Sequence, residues 1–202
     1  MKFNNISGVI LAGGANSRFG GKIKANLLID GRTIISGITE ILSQIFSEII
    51  IVTNTQEAFS EYNKFRIVSD RFKMTGPLGG IHAAMMASSG EAVFVVGGDM
   101  PLLQKQIIIK QTEYYQKNKC EVLVPSVNQN IEPLHAVYSL SILTKLEKHL
   151  SEGTNYAIRE FFRKTDTRYL EFDNIEDTIS AFTNINTPLD ILLVEEIIRT
   201  RR

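Results

Sequence analysis

Short apolar runs that stop at glycine or aspartate, separated by stretches of helical periodicity, recur through the first 125 residues of the chain. This is the feature that most narrows its fold. Ile6 to Ala12 (ISGVILA) ends at Gly13-Gly14, Arg66 to Ser69 at Asp70, and Glu91 to Val96 at Gly97-Gly98-Asp99. Glu48 to Asn54 and Glu121 to Pro125 read as further strands. Between them, Ile34 to Phe46 places Ile35, Ile38, Ile41, Leu42 and Ile45 at helical spacing. Pro77 to Ser88 carries proline at its start and an Ala/Met-rich body, as a helix with Pro in its first turn does. Leu102 to Lys117 reads as a third helix, opened by Pro101. Apolar runs with little alternation are buried on both faces, and a β–α rhythm joins such strands in parallel. The expected fold class is α/β, with a doubly wound, mostly parallel sheet.

Beyond Val127 the rhythm loosens. Ala136 to Tyr138 reads as a short extended segment, Ser141–Ser151 and Tyr156–Arg163 as helices, the region near Tyr169–Phe172 as a strand, and Pro188 to about Arg199 as the closing helix. Glu152-Gly153-Thr154 suggests a C-cap glycine followed by an N-cap threonine. With no linker or repeat, one domain spanning 1–202 is expected.

The 202 residues include 22 Lys+Arg and 22 Asp+Glu, a formal net charge of zero. Surfaces that coat nucleic acid or an anionic membrane need a positive surplus, so neither partner is expected. No apolar run approaches the ~20 residues of a membrane span, and Met1-Lys2-Phe3-Asn4-Asn5 is no leader peptide, so a cytoplasmic location is expected. A single cysteine, Cys120, excludes an internal disulfide and reads as a small buried hydrophobe.

Ligands of open α/β sheets bind where the strands end, so the loops after the apolar runs are the candidate sites. The first, Leu11 to Lys24, contains four glycines with Arg18, Lys22 and Lys24. Glycine lets backbone N–H groups approach phosphate oxygens and the cations offset their charge. Asn16 and Ile23 exclude a Walker A motif, and the glycine spacing excludes the dinucleotide fingerprint. Asp99 is sited to hold Mg²⁺, a hard cation shared between carboxylates and substrate phosphates; taken alone it reads equally well as a turn or helix-capping residue, as does Asp70. Thr75-Gly76-Pro77-Leu78-Gly79-Gly80 brings a helix N-terminus to the same edge. His82, His135 and His149 show no metal-ligand spacing.

Leu-Ala-Gly-Gly-x-x-Ser-Arg-x-Gly-Gly-x-x-Lys at 11–24, Gly76-Pro77-Leu78-Gly79-Gly80, Gly98-Asp99-Met100-Pro101 and Asn184-Ile185-Asn186-Thr187-Pro188 together resemble the molybdenum cofactor guanylyltransferase (MobA) family of the nucleotidyltransferase superfamily. The resemblance spans nearly the whole chain and implies 1–125 as its nucleotide-binding part and 126–202 as its acceptor-side part. It implies a three-layer αβα, Rossmann-like fold of the nucleotide-diphospho-sugar transferase type, and transfer of GMP from GTP to molybdopterin with release of pyrophosphate. It further implies Leu11, Ala12, Gly13 and Gly14 around the guanine and phosphates, Lys24 on the triphosphate, Asn54 and Asp70 on the nucleotide, and Asp99 as the Mg²⁺ ligand. Arg18, Lys24 and Asp99 would carry catalysis. Ile23 departs from the family pattern, which has Asp before the loop lysine. Glu132 to Tyr138 resembles the acceptor-side segment, while Asn184, Asn186 and Thr187 read either as acceptor contacts or as the start of the last helix. GTP and molybdopterin are the implied substrates, with transient contacts to cofactor-handling proteins or apo-molybdoenzymes. The alternatives are a nucleotidyltransferase using CTP or a sugar phosphate, and a nucleotide-binding protein without turnover.

Overall fold

The computed structural model describes residues 2–13 and 23–201. The strands are β1 (Ile6–Leu11), β2 (Leu28–Ile29), β3 (Arg32–Thr33), β4 (Ile49–Val52), β5 (Arg66–Val68), β6 (Ala92–Gly97), β7 (Val122–Val127), β8 (Asn130–Ile131), β9 (His135–Ser139) and β10 (Thr167–Glu171). The α-helices are α1 (Ile34–Ile45), α2 (Pro77–Ala87), α3 (Lys105–Asn118), α4 (Leu143–Glu152), α5 (Ile158–Phe162), α6 (Glu176–Ala181) and α7 (Pro188–Thr200).

The main sheet runs β10-β7-β9-β6-β1-β4-β5, with β8 paired to β7. β1 is parallel to β4 and β6, β4 to β5, and β7 to β10. β9 is antiparallel to both β6 and β7. Alternate side chains serve two cores, one on each face. Phe94 and Val96 of β6 join Ile10, Ile51, Leu42, Ile108 and Val194, whereas Val93 and Val95 join Val9, Ile50, Ile81, Leu146 and Phe161. α1, α3 and α7 therefore cover one face and α2, α4 and α5 the other, completing the expected αβα sandwich. The unbroken apolar spelling of β4 and β6 follows from this double burial.

The helices differ according to what they face. α1 is amphipathic and starts at Thr33, whose Oγ1 accepts the Ser36 N–H at 3.3 Å. α2 packs against both the sheet and α4, and nearly all its residues are buried, Leu78, Gly80, Ile81 and Ala84 among them. α7 opens with a capping box: Thr187 accepts from the backbone three residues on, and Asp190 Oδ2 accepts the Thr187 N–H at 2.7 Å.

Several local expectations give way to tertiary structure. Pro101 lies in a turn and α3 starts only at Lys105. Gly153 is extended (φ −74°) rather than a left-handed C-cap, and the N-cap of α5 is Ala157 rather than Thr154, with Asn155 Oδ1 accepting the Ala157 N–H at 3.0 Å just ahead of the helix. A β2–β3 hairpin, turned by Asp30-Gly31 with φ of +50° and +78°, occupies a stretch with no expected element; two consecutive positive φ values are what a tight hairpin turn requires. α6 is likewise additional. Cys120 is buried, as expected. Among the described residues no helix is long and apolar enough to cross a membrane.

Candidate active site

The chain passes from β1 to β4 and β5 on one side, then returns to place β6 on the other side of β1. Such a reversal opens a crevice at the carboxyl ends of the strands. A cleft of about 740 Å³ lies there, within the range of small-molecule sites. Its walls are the ends of the strands: Leu11, Ala12 and Gly13 after β1, Val52 to Thr55 after β4, Asp70 after β5, Gly97 to Asp99 at β6, and the α2 N-terminus at Gly76 and Pro77. Leu134 joins them because β9 is antiparallel, which brings its start to the edge where its neighbours end.

The strand ends lock together through backbone bonds. Gly98 N–H donates to the Leu11 carbonyl at 2.9 Å, Ala12 N–H to Val52 at 2.8 Å, and Thr53 N–H to Val68 at 2.9 Å. Gly98 permits the closest approach: a Cβ there would stand 2.9 Å from the Leu11 carbonyl oxygen and 3.1 Å from Ala12 Cα. The glycine after β6 is thus required by the packing of two backbones at the floor of the cleft.

Lys24 and Asp99, 75 residues apart in sequence, meet here with Nζ 2.9 Å from Oδ2, both about four-fifths buried. Lys24 Nζ also donates to Asn186 Oδ1 at 3.0 Å. Ile23, where the resemblance led to an expected Asp, packs against the core beside α1 and anchors the short 3₁₀ turn Lys24–Asn26. The carboxylate facing Lys24 comes from β6 instead. Asp99 is thereby not a helix cap; its backbone carbonyl accepts the Ile185 N–H at 2.8 Å, tying the segment before α7 to the end of β6.

Asp70 takes a different position. Its Oδ1 accepts the Phe72 N–H at 2.7 Å, closing an Asx turn, and its own N–H donates to Asn54 Oδ1 at 3.1 Å. A Cβ on Gly79 would lie 2.5 Å from its carboxylate, so Asp70 rests on the first turn of α2, where a negative charge is favoured. Burial pushes the Asp70 carboxyl above its ordinary range, while the Phe72 N–H and His82 pull it back. Asn54 and Asp70 therefore meet on the wall opposite the Lys24 pair, with Asn54 Oδ1 engaged in holding the loop.

One residue missing from the sequence-based candidates belongs to this region. Glu132, between β8 and β9, accepts the Leu134 N–H with Oε1 and Asn184 Nδ2 with Oε2, both at 3.0 Å. Burial pushes its carboxyl upward and the nearby Asp99 adds to this, against the two donors. Its only sequence signal was its place at the head of the acceptor-side resemblance. Gly14, Arg18 and Lys22 lie outside the described residues. Among those described, no group of three or more His, Cys, Asp or Glu converges on one point. The donor set suits Mg²⁺, which takes one or two carboxylates and completes its shell with water and phosphate oxygens. Asp99 Oδ2 is engaged by the Lys24 ammonium, which leaves Oδ1 as the carboxylate's other donor atom.

The model of the MobA-like NTP transferase domain matches residues 8–168. A molybdenum cofactor guanylyltransferase of Desulfosudis oleivorans is 33% identical over 200 residues, covering 98% of each chain. A probable molybdenum cofactor guanylyltransferase of Thermococcus kodakarensis is 37% identical over 193 residues, covering 91% of each. Among solved structures, molybdopterin-guanine dinucleotide biosynthesis protein A of Archaeoglobus fulgidus superposes with a TM-score of 0.82 at 25% identity, covering 96% of this chain and 99% of that one. The cleft between β1 and β6, with its lysine and aspartate, is carried by a chain that belongs to the MobA-like NTP transferase family.

Proposed function

We propose that the chain transfers GMP from GTP to molybdopterin, releasing pyrophosphate and forming molybdopterin guanine dinucleotide. The observation that carries this reading is the Lys24–Asp99 pair at the floor of a nucleotide-sized cleft, in a chain one-third identical along nearly its full length to a guanylyltransferase.

An oxygen of the acceptor phosphate attacks the α-phosphorus of GTP, and the bond to the β-phosphate oxygen breaks. A phosphate monoester has a second pKa near 6, so at pH 7 the nucleophile is already mostly ionised and no general base is required. The protein's work is positioning and compensation of charge. Lys24 offsets negative charge on the phosphates, assisted by Arg18 and the loop amides beyond β1, while Leu11, Ala12, Gly13 and Gly14 line the guanine and phosphates. Asp99 would hold Mg²⁺, which when bound would polarise phosphate oxygens and offset the charge of the leaving pyrophosphate. Asn54 and Asp70 line the nucleoside side. Residues 1–125 form the nucleotide-binding part and 126–202 the acceptor side. This reading suits a cytoplasmic enzyme that passes its product to apo-molybdoenzymes through transient contacts.

The decisive assay incubates the full chain with Mg²⁺, molybdopterin and GTP labelled at the α-phosphorus. Label should appear in the dinucleotide, with one pyrophosphate released per transfer. Thermal shifts with each of the four nucleoside triphosphates and Mg²⁺ check the base, since stabilisation follows saturation. Preference for CTP or UTP would replace the guanylyl assignment with another nucleotidyl transfer, and tight GTP binding without turnover would replace it with a binding role.

A further inference from the structure

We infer that Glu132 is a positioning residue that acts through Asn184 to hold the 184–187 segment on the end of β6, and so keeps Lys24 aimed into the cleft. The backbone of Glu132 is fixed from both sides: its N–H donates to the Pro125 carbonyl at 3.2 Å and its carbonyl accepts the His135 N–H at 3.1 Å. Both carboxylate oxygens are used, one on Leu134 N–H and the other on Asn184 Nδ2. Glu132 is therefore a rigid bracket reaching across 52 residues of sequence to Asn184.

The chain that leaves Asn184 makes three consecutive ties. Ile185, fully buried, donates its N–H to the Asp99 carbonyl. Asn186 offers Oδ1 to Lys24 Nζ, and its N–H and that of Thr187 both donate to Asp190 Oδ2 at 2.7 Å. Asn186 and Thr187 are exposed, so water competes for these bonds and the segment depends on its buried upstream anchor. Lys24 carries a flexible four-carbon stem. Asn186 adds a second, neutral acceptor beside Asp99 and would still define where the ammonium sits were the carboxylate to hold Mg²⁺. Outer partners of this kind commonly change activity by about 10- to 100-fold when removed.

The kinetic part of this proposal rests on the guanylyl-transfer reading, whereas its structural part is testable on the ligand-free chain. Amide hydrogen exchange at Ile185 reports the tie to Asp99 directly. In Glu132→Ala it should accelerate by about 10- to 100-fold, the worth of a hydrogen bond to a charged group. Exchange in the centre of β6 should stay unchanged. Asn184→Ala should match it, and the double variant should lie within about twofold of the worse single one, as expected when two residues act as a unit. Glu132→Gln should retain slow exchange, because its Oε1 still accepts from Leu134 while Asn184 flips its amide to accept from Nε2. In the transfer assay Glu132→Ala should lower kcat about 10- to 100-fold with KM for GTP nearly unchanged, and Glu132→Gln should recover most of it. Unchanged Ile185 exchange in Glu132→Ala or Asn184→Ala, or additive effects, overturns the proposal. If Glu132→Ala fails to fold, Asn184→Ala and Glu132→Gln carry the same comparison. Absence of transfer by the unaltered protein rejects the guanylyl reading, and the exchange data still decide the role of Glu132.

Discussion

Asp99 combines two duties at one position: its side chain faces Lys24, and its backbone carbonyl holds Ile185. Only the first is lost in Asp99→Ala, so the fold should persist, with a melting temperature close to that of the unaltered chain. Pyrophosphate release should fall by roughly 100-fold or more, several kcal/mol of charge stabilisation at about tenfold per 1.4 kcal/mol. Gly98→Ala is the converse case. Its Cβ would meet backbone atoms of Leu11 and Ala12 and the Ala25 methyl within 3.2 Å, none of them the end of a flexible side chain. Such overpacking costs about 1–3 kcal/mol, and each kcal/mol should lower the melting temperature by about 2–4 °C in a calorimetric scan. Asp99 and Gly98 both stood out in the sequence as a motif at a strand end, because glycine and carboxylate are unusual enough there to be seen. Glu132 was not visible in this way, since a lone glutamate in a loop is ordinary until its two acceptor bonds are known.

At the scale of elements, the strand and helix periodicities were legible wherever burial was two-sided or strictly amphipathic, as in β4, β6 and α1. The boundaries that shifted belong to short pieces governed by single hydrogen bonds. Thr154 has the type of an N-cap, yet α5 starts only at Ile158, and Asn155 Oδ1 accepts the N–H of the actual cap, Ala157. The start of α7 was open between two readings, and Thr187 proves to be a capping residue. Thr187→Ala should therefore destabilise the end of α7 by about 1 kcal/mol, seen as faster amide exchange in its first turn. The Asn186 and Thr187 N–H groups hold the Asp190 carboxyl below its ordinary range, with Lys24 adding to this. A carboxyl depressed in the folded state stabilises at pH above its unfolded value. This cap should accordingly weaken as pH falls through the ordinary carboxylate range and below.

Across the whole molecule the clearest pH dependence comes from His135. It is fully buried between the rings of Phe94 and Phe182, with Nδ1 on Gln111 Oε1 at 3.1 Å and Nε2 without a partner among the described residues. Burial pushes its pKa down to about 4. The unfolded chain takes up this proton near pH 6.5, so the stability is fully present above 6.5 and is lost as pH falls towards about 4. The full loss amounts to about 3 kcal/mol. Urea midpoints at pH 7.5 and 5 should show the decline, and His135→Gln should flatten it. Net neutrality, 22 charges of each sign, shaped the expectation about partners but said nothing of this buried group. The α/β alternation and the glycines at strand ends were determined by local composition and spacing, because strand burial and tight turns act on neighbours in the chain. Tertiary structure alone decided that Lys24 meets Asp99 across 75 residues and Asn186 across 162, and that Glu132 meets Asn184 across 52. Those contacts depend on strand order, on the antiparallel insertion of β9 and on the path back to α7. No periodicity of 2 or 3.6 residues encodes them.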